Sequence, residues 1–168
     1  GDTLDRLVSQ VLNYSRPVSL QLKETRLAPL LKEWTEALKA DTSHSADSTI
    51  TLQVGCDPLV LLDPGLFKLA LNNLAINAIQ AMPQGGKLTI TLNSETDHVL
   101  LSIADTGCGI PQEHLKKLFS PFFSTKANGN GLGLAETHKV IQAHGGEISV
   151  ETEMGKGSIF SIKLPSKG

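Results

Sequence analysis

The sequence predicts an α/β fold, a two-layer sandwich in which a mixed, mainly antiparallel sheet is covered by helices. Three observations predict it. Stretches with helical apolar spacing are intermixed with stretches that alternate apolar and polar residues along the 168-residue chain. Two of the alternating stretches follow each other closely, as in a β-hairpin. Hydrophobic residues make up 40% of the chain and charged residues 19%, which is typical of one globular domain.

The composition also excludes several classes of protein. The net charge is −2 without any block of like charge, so nucleic acid is not an expected partner. No apolar run reaches the roughly 20 residues that span a bilayer, and no signal-peptide pattern is present. Cys56 and Cys108 are too few for a disulfide framework, which fits a reducing compartment. We therefore expect a cytoplasmic domain and, because the chain opens on Gly1, a fragment of a longer protein.

The first predicted element is an amphipathic helix that ends at Arg16-Pro17. Its apolar residues recur at i, i+3, i+4, i+7 and i+8: Leu4, Leu7, Val8, Val11 and Leu12. Such a stripe needs a partner, so the helix is either a brace on a compact domain or the end of a dimerising bundle.

A second helix is expected over residues 27–40, and a half-buried strand with alternating apolar residues over 49–54. The central helix then begins with Asp63 as its N-cap and Pro64 as its first helical residue, and it extends to about Met82. The remaining expected elements are hairpin strands 87–93 and 99–104, a short helix 111–118, an irregular stretch 120–131, a helix 132–144, and strands 147–152 and 158–164.

Two amides stand on the central helix, at Asn73 and Asn77. Residues four apart share a helix face, offset by about 40°, beside an apolar stripe that can pack on the sheet: Phe67, Leu71, Leu74 and Ala78. A buried amide without a partner costs about 1–3 kcal/mol. The two amides are therefore either oxygen ligands of a Mg²⁺ ion that keeps phosphate oxygens and waters, or a helix–helix hydrogen-bonded pair.

The segment Asp105–Ile110 (DTGCGI) follows a predicted buried strand. A carboxylate at a strand end can accept a hydrogen bond from an exocyclic amine, and Gly107 and Gly109 let the backbone approach a flat ring. The alternative is a tight turn in which Asp105 caps the backbone.

A glycine-rich segment, GNGLGL, leads into the predicted helix 132–144. Free backbone N–H groups and the helix dipole favour phosphate there. No strand precedes it, so a Rossmann dinucleotide site is not expected. Just before it, Lys126 is either a charge for a terminal phosphate or a solvated loop lysine. Phe119, Phe122 and Phe123 are either apolar anchors of a hinged lid or ordinary core residues.

The order of these motifs is more specific than any one of them: N-x-x-x-N, D-x-G-x-G-I, F-x-P-F-F, G-x-G-L-G-L and G-x-G-S-x-F. Over nearly the entire chain, the set resembles the catalytic, ATP-binding domain of sensor histidine kinases. These kinases belong to the Bergerat-fold superfamily, with DNA gyrase, mismatch-repair ATPases and a heat-shock chaperone. "NAIQAMPQGG" and "PFFSTK" are most similar to the nitrogen-regulation type.

The resemblance implies a role for each motif. Asn73 and Asn77 would bind Mg²⁺ and phosphate, Asp105 would take the adenine amino group, and Ser158 would support the adenine site, often through water. The expected catalytic residues are Asn73, Asn77 and Lys126. The other expected nucleotide-binding residues are Gly107, Gly109, Ile110, Phe122, Thr125, Gly129, Gly131, Leu132, Gly133 and Leu134, several of them in a short ATP lid.

By the same resemblance, residues 1–17 are the end of the second helix of a dimerisation and phosphoacceptor hairpin with its linker, and 18–168 are the catalytic domain. No histidine here stands in an H-E-x-x-N-P context, so the phosphoacceptor is expected upstream of Gly1. The implied partners are ATP, the dimerisation domain of a homodimeric parent, and a response regulator, for which the nitrogen-regulation type implies an activator of enhancer-dependent transcription. The parent would be either soluble or anchored in the inner membrane.

Two other functions compete with a histidine kinase. Relatives that hydrolyse ATP or phosphorylate serine need a general base, which the superfamily supplies as a Glu four residues before the second amide position. Asn73 occupies that place, and an amide cannot act as a base. A neutral imidazole needs no such deprotonation, so Asn73 favours a histidine acceptor. The second competitor, a degenerate binding module, is disfavoured because the motifs are intact.

Overall fold

The computed structural model of the chain describes residues 18–41, 47–120 and 133–166. Within these ranges it contains seven strands and four helices. In chain order they are β1 (Lys23–Arg26), α1 (Leu27–Ala40), β2 (Thr49–Val54), β3 (Leu59–Leu62), α2 (Pro64–Gln80), β4 (Lys87–Ser94), β5 (His98–Asp105), α3 (Gln112–Leu115), α4 (Gly133–Ala143), β6 (Glu147–Glu153) and β7 (Gly157–Pro165).

The main sheet has five strands in the order β2-β4-β5-β7-β6. β2 pairs with β4 in parallel, and the other three pairings are antiparallel. β1 and β3 form a separate antiparallel pair. The predicted fold class, a mixed and mainly antiparallel sheet covered by helices, is therefore confirmed.

The core lies between one face of the sheet and the helices. Alternate residues of the central strands are buried, such as Leu88, Ile90 and Leu92 on β4, as the two-residue period of a strand requires. α2 contributes Phe67, Leu71, Leu74 and Ala78, each at most 2% exposed, so the predicted apolar stripe is confirmed. α1 contacts β2, α2 contacts β5 and α4 contacts β6, which places the three helices as one layer over the sheet.

Most predicted elements are confirmed within two residues of their ends. The helix over 27–40 and the strand over 49–54 have the expected bounds. Asp63 caps α2 by accepting a hydrogen bond from the backbone N–H of Leu66, with Pro64 in the first turn as predicted. The short helix is α3, shorter than the predicted 111–118.

Two strands were not predicted. β1 has the polar sequence KETR, and β3 has the uniformly apolar sequence LVLL, so neither has the alternation of a half-buried strand. They pair with each other, and Leu27 at the start of α1 donates its backbone N–H to Pro58 O just before β3. The predicted first helix, most of the polar loop 41–48 and the segment 121–132 lie outside the described residues.

None of the helices in the described ranges combines the length and the apolar character that a membrane crossing requires.

Candidate functional site

The site is organised around the carboxylate of Asp105 at the end of β5. Asp105 is 7% exposed, and it faces Ser158 in the register of β5 and β7. Its Oδ1 accepts backbone N–H groups from Gly107 at 2.9 Å and from Ser158 at 3.3 Å. Two backbone donors hold a carboxylate in one orientation. The structure therefore brings together Asp105 and Ser158, which the sequence predicted to serve the same ligand group.

The turn after Asp105 requires its glycines for space. A Cβ on Gly107 would lie 2.5 Å from the carbonyl oxygen of Ala81, at the end of α2. Gly109 has a φ of +81°, and a Cβ there would lie 2.5 Å from the carbonyl oxygen of Glu153. Hydrogen bonds from Cys108 N to Ala81 O and from Gly155 N to Cys108 O tie the turn to both neighbours.

The structure confirms the tight-turn interpretation of the DTGCGI segment, while the interpretation of Asp105 as an acceptor for an exocyclic amine stays a prediction. Asp105 does cap the turn through the N–H of Gly107, as the structural alternative required. A purely local turn would not explain the second bond to Ser158, which is 53 residues away in the sequence. The carboxylate thus belongs to a built corner where β5, β7 and the glycine turn meet.

Thr152 is a residue of this corner that the sequence analysis missed. Its hydroxyl oxygen accepts the backbone N–H of Ile110 at 2.8 Å and lies 2.9 Å from the hydroxyl of Ser158. It also lies 3.1 Å from the carbonyl oxygen of Gly157. The sequence does contain a signal for it. The strands predicted over 147–152 and 158–164 are joined by a five-residue turn, and a hairpin of this kind places Thr152 opposite Ser158, as observed.

The two amides of α2 lie on its half-buried face, and Asn73 reaches the start of α4. Its Nδ2 donates to the carbonyl oxygen of Gly133 at 3.3 Å, and the buried hydroxyl of Thr137 donates to the same oxygen at 2.8 Å. The second interpretation of the amides, a hydrogen bond between helices, therefore holds for the Nδ2 group of Asn73. That bond uses Nδ2 and fixes the orientation of the amide, whereas a cation would bind an amide through its Oδ1.

The motif at the start of α4 is described only in part. Gly133 and Leu134 form the first residues of the helix, next to Asn73. The other predicted residues of the lid and phosphate region lie outside the described residues: Phe122, Thr125, Lys126, Gly129, Gly131 and Leu132. Phe119 is half-buried, stacked on His138 with 5.2 Å between ring centroids and edge-on to Phe160 at 6.4 Å. The beginning of the phenylalanine motif therefore packs on the core.

Among the described residues there is no group of three or more His, Cys, Asp or Glu side chains placed to hold a metal ion. The polar side chain that lies against the start of α4 is the neutral amide of Asn73. An amide oxygen suits a Mg²⁺ ion that keeps phosphate and water ligands, so the sequence-based expectation for Asn73 stays a prediction.

Comparisons with known proteins show the family to which the chain belongs. The family described as histidine kinase-, DNA gyrase B- and HSP90-like ATPases matches residues 62–168. Sensor histidine kinase ZraS of Klebsiella oxytoca is 36% identical over 172 residues, covering 100% of this chain and 37% of ZraS. The chain spans between 22% and 39% of the length of such curated relatives.

Solved structures show the same fold. The catalytic domain of histidine kinase ThkA has a TM-score of 0.77 and 33% identity, covering 86% of this chain and 95% of that domain. ThkA in complex with the response regulator TrrA has a TM-score of 0.82 and 30% identity over 99% of this chain and 48% of ThkA. Full-length ShkA in complex with AMPPNP has a TM-score of 0.83 and 29% identity over 98% of this chain and 36% of ShkA.

The chain belongs to the family of histidine kinase-, DNA gyrase B- and HSP90-like ATPases. Within it, the chain is related to the catalytic domains of sensor histidine kinases, and ATP is the nucleotide of the family. The resemblance stated from the motifs is thereby confirmed, whereas the nitrogen-regulation type stays a prediction.

Proposed function

We propose that this chain binds Mg²⁺-ATP and transfers the γ-phosphate to a histidine outside the present sequence, as the catalytic domain of a two-component sensor kinase. The observation that carries the proposal is the corner formed by Asp105, Ser158 and the turn through Gly107 and Gly109, at the C-terminal end of the helix α2 that carries the two amides. It combines a fixed acceptor for a base with oxygen ligands for a phosphate-bound ion.

At the adenine end, Asp105 accepts a hydrogen bond from the exocyclic amino group of the base. Its orientation is set before the nucleotide binds, because two backbone N–H groups already hold Oδ1. Gly107 and Gly109 keep the turn close to the end of α2 and to the β6–β7 turn, so no side chain of theirs obstructs a flat ring. Ser158 supports the amino group directly or through water, and Ile110 lines the base.

At the phosphate end, Asn73 and Asn77 provide neutral oxygen ligands for Mg²⁺. The ion supplies charge neutralisation to the phosphates when it is bound. Lys126 adds a positive charge at the terminal phosphate. Phe122, Thr125 and the backbone of Gly129, Gly131, Leu132, Gly133 and Leu134 cover the nucleotide as a lid. In support, Asn73 already contacts the carbonyl of Gly133, where this lid joins α4.

The acceptor follows from Asn73. Hydrolysis of ATP and transfer to a serine each require that a proton be taken from water or a hydroxyl, and Asn73 cannot take it. A neutral imidazole attacks with a free lone pair. Phosphoryl transfer then depends on positioning and on charge neutralisation, which are the functions that Asn73, Asn77 and Lys126 can serve.

The partners are proposed from the relatives. The relative ThkA is in complex with a response regulator, TrrA. We infer that the parent of this chain forms a homodimer through a phosphoacceptor hairpin that includes residues 1–17, and passes its phosphate to a response regulator. The similarity of NAIQAMPQGG and PFFSTK to the nitrogen-regulation type favours a regulator of enhancer-dependent transcription. We place the domain itself in the cytoplasm.

Binding measurements on three variants test the site. Asn77→Ala and Asp105→Ala should each weaken Mg²⁺-ATP binding at least about tenfold, since each removes a charge-assisted or ion contact. Asn72→Ala is the matched control: it stands on the same helix, but its Oδ1 accepts from the indole of Trp34 instead. Calorimetry of ATP binding with and without Mg²⁺ gives the affinities. Unchanged binding in both site variants would refute the assignment.

A further inference from the structure

Thr152 makes three polar contacts that fix the direction of its single hydroxyl proton. Its Oγ1 is 2.8 Å from Ile110 N, 3.1 Å from Gly157 O and 2.9 Å from Ser158 Oγ. The Ile110 amide can only donate and the Gly157 carbonyl can only accept, whereas a hydroxyl has one proton and two lone pairs. The proton of Thr152 therefore goes to Gly157, and all three contacts are satisfied only when Ser158 donates to Thr152.

This arrangement determines what Ser158 presents to a ligand. Its hydroxyl proton is used inside the protein, so its Oγ offers only lone pairs. Ser158 is 5% exposed, and its backbone N–H is bound to the carboxylate of Asp105. Two acceptors, the Asp105 carboxylate and the Ser158 hydroxyl, therefore lie side by side where β5 ends and β7 begins.

A pair of acceptors selects for a donor. The 6-amino group of adenine has two protons to donate, directly or through a bridging water, whereas a 6-oxo purine presents an acceptor in the same place. An acceptor opposite an acceptor leaves both without a partner, which is costly in a buried site. If Thr152 did not hold the Ser158 proton, that hydroxyl could rotate and accommodate either kind of purine.

We propose that Thr152 is a positioning residue that sets the base specificity of the nucleotide site by keeping Ser158 an acceptor. The proposal rests on the proposed function, because it takes Asp105 and Ser158 to face the purine. Thr152 acts through Ser158, and its predicted effect is on the preference between bases rather than on phosphate binding.

The test compares two nucleotides in wild-type chain and in Thr152→Val, which has nearly the same shape but no hydroxyl. Displacement of a ribose-labelled fluorescent ATP analogue gives dissociation constants for ATP and for inosine triphosphate, which carries a 6-oxo group in place of the 6-amino group. In the variant, the affinity for inosine triphosphate should rise about threefold to tenfold, the effect of one hydrogen bond, because the Ser158 hydroxyl can then turn its proton to the 6-oxo group, while the affinity for ATP changes less than about twofold. The preference for ATP should thus shrink.

Two further variants separate positioning from a structural role. Thr152→Ser keeps the hydroxyl and should restore the preference for ATP. In a Ser158→Ala background, Thr152→Val should leave the remaining preference unchanged, because the group through which it acts is gone. If circular dichroism shows Thr152→Val to be unfolded, Thr152→Cys, a weak donor and acceptor of similar size, takes its place.

An equal loss of affinity for both nucleotides, or no change in either, would overturn the role of Thr152 while leaving the ATP site in place. A wild-type chain that does not bind ATP at all would instead refute the proposed function and, with it, this inference.

Discussion

Gly109 and Gly155 have nearly the same positive φ angle in very different surroundings. Their φ angles are +81° and +80°. A Cβ on Gly109 would lie 2.5 Å from the carbonyl oxygen of Glu153, whereas one on Gly155 would have nothing within 4 Å. The left-handed conformation costs an alanine about 1–2 kcal/mol at either position. At Gly109 alone of the two, an alanine would also clash with the backbone of Glu153.

We therefore predict that Gly109→Ala lowers the free energy of unfolding more than Gly155→Ala, by about 1 kcal/mol or more in excess of the shared strain. Denaturant unfolding of the two variants measures the difference. Gly109→Ala should also weaken ATP binding, because the turn must move away from the β6–β7 turn. Equal losses of stability would mean that the turn relaxes freely and does not shape the base pocket.

Glu136, in the first turn of α4, is a residue at which pH and stability are linked. Burial raises the pKa of its carboxyl, and Lys139 offsets this in part. A pKa raised by folding contributes stability that is present below the unfolded pKa, about 4.3, and is lost as the pH rises through the folded pKa. At neutral pH the ionised side chain therefore destabilises the fold relative to a neutral one.

We expect Glu136→Gln to melt at a higher temperature than wild type at pH 7 and at the same temperature near pH 3.5. Thermal unfolding followed by circular dichroism across this range is the measurement. Glu151→Gln, an exposed glutamate on β6, is the control. A stabilisation that persists unchanged to pH 3.5 would contradict the linkage.

At the scale of single residues, the sequence predicted the polar groups of the site better than their connections. Asp105 and Ser158 follow from motifs, because each belongs to a short glycine-containing pattern, D-x-G-x-G-I and G-x-G-S-x-F. Thr152 belongs to no motif, and it is recognised only when the strand register places it opposite Ser158. Asn73 shows the same limit: spacing puts it on the same face of α2 as Asn77, but its bond to Gly133 depends on how α2 and α4 pack.

At the scale of elements, α2 depends on its N-cap. The two carboxylate oxygens of Asp63 accept from different backbone groups, Leu66 within the helix and Gln21 ahead of β1. These bonds, with Gln21 as the larger cause, lower the pKa of Asp63. A depressed pKa contributes stability that is present above the unfolded pKa and lost as the pH falls through the folded pKa.

Asp63→Ala should therefore lower the free energy of unfolding at pH 7 by about 1 kcal/mol, the typical value of a cap, and the difference from wild type should shrink below about pH 4. Asp63→Asn keeps an acceptor without the charge, so its stability should depend less on pH over the same range. Urea titrations at pH 7 and pH 3 measure both effects. A difference for Asp63→Ala that is as large at pH 3 as at pH 7 would exclude the role of the carboxylate charge.

Elements whose own residues carry a clear helical or strand pattern were predicted from the sequence. Elements that lack such a pattern were not predicted. The apolar stripe of α2, its cap and its proline are all encoded within twenty residues. β3 is an apolar run of four residues, and β1 is polar, so their pairing is a tertiary effect. The residue pattern of β2 or of β4 does not predict that the two strands pair in parallel. That pairing depends on the crossover connection through α2.

At the scale of the whole molecule, fold and site are linked by the strand order. Placing β5 between β4 and β7 brings the end of one hairpin to the start of the last strand, so Asp105 meets Ser158 although 53 residues separate them. α2 and α4 cover the same sheet, which brings the N-x-x-x-N motif to the start of α4. The order of the motifs predicted such a convergence, and the topology explains it.

The molecule as a whole should bind ATP without consuming it at an appreciable rate. The proposed site has acceptors for the base and amides for the ion, but Asn73 occupies the position at which the superfamily's general base would activate water. None of its five histidines lies in an H-E-x-x-N-P context, so it should not label itself either. Phosphate release from ATP and retention of base-stable label measure the two reactions. The Asn77→Ala chain, purified in the same way, corrects for contaminating ATPases. Sustained turnover that is lost in Asn77→Ala would show that water is activated without a base at position 73, and the case for a histidine acceptor would then fail.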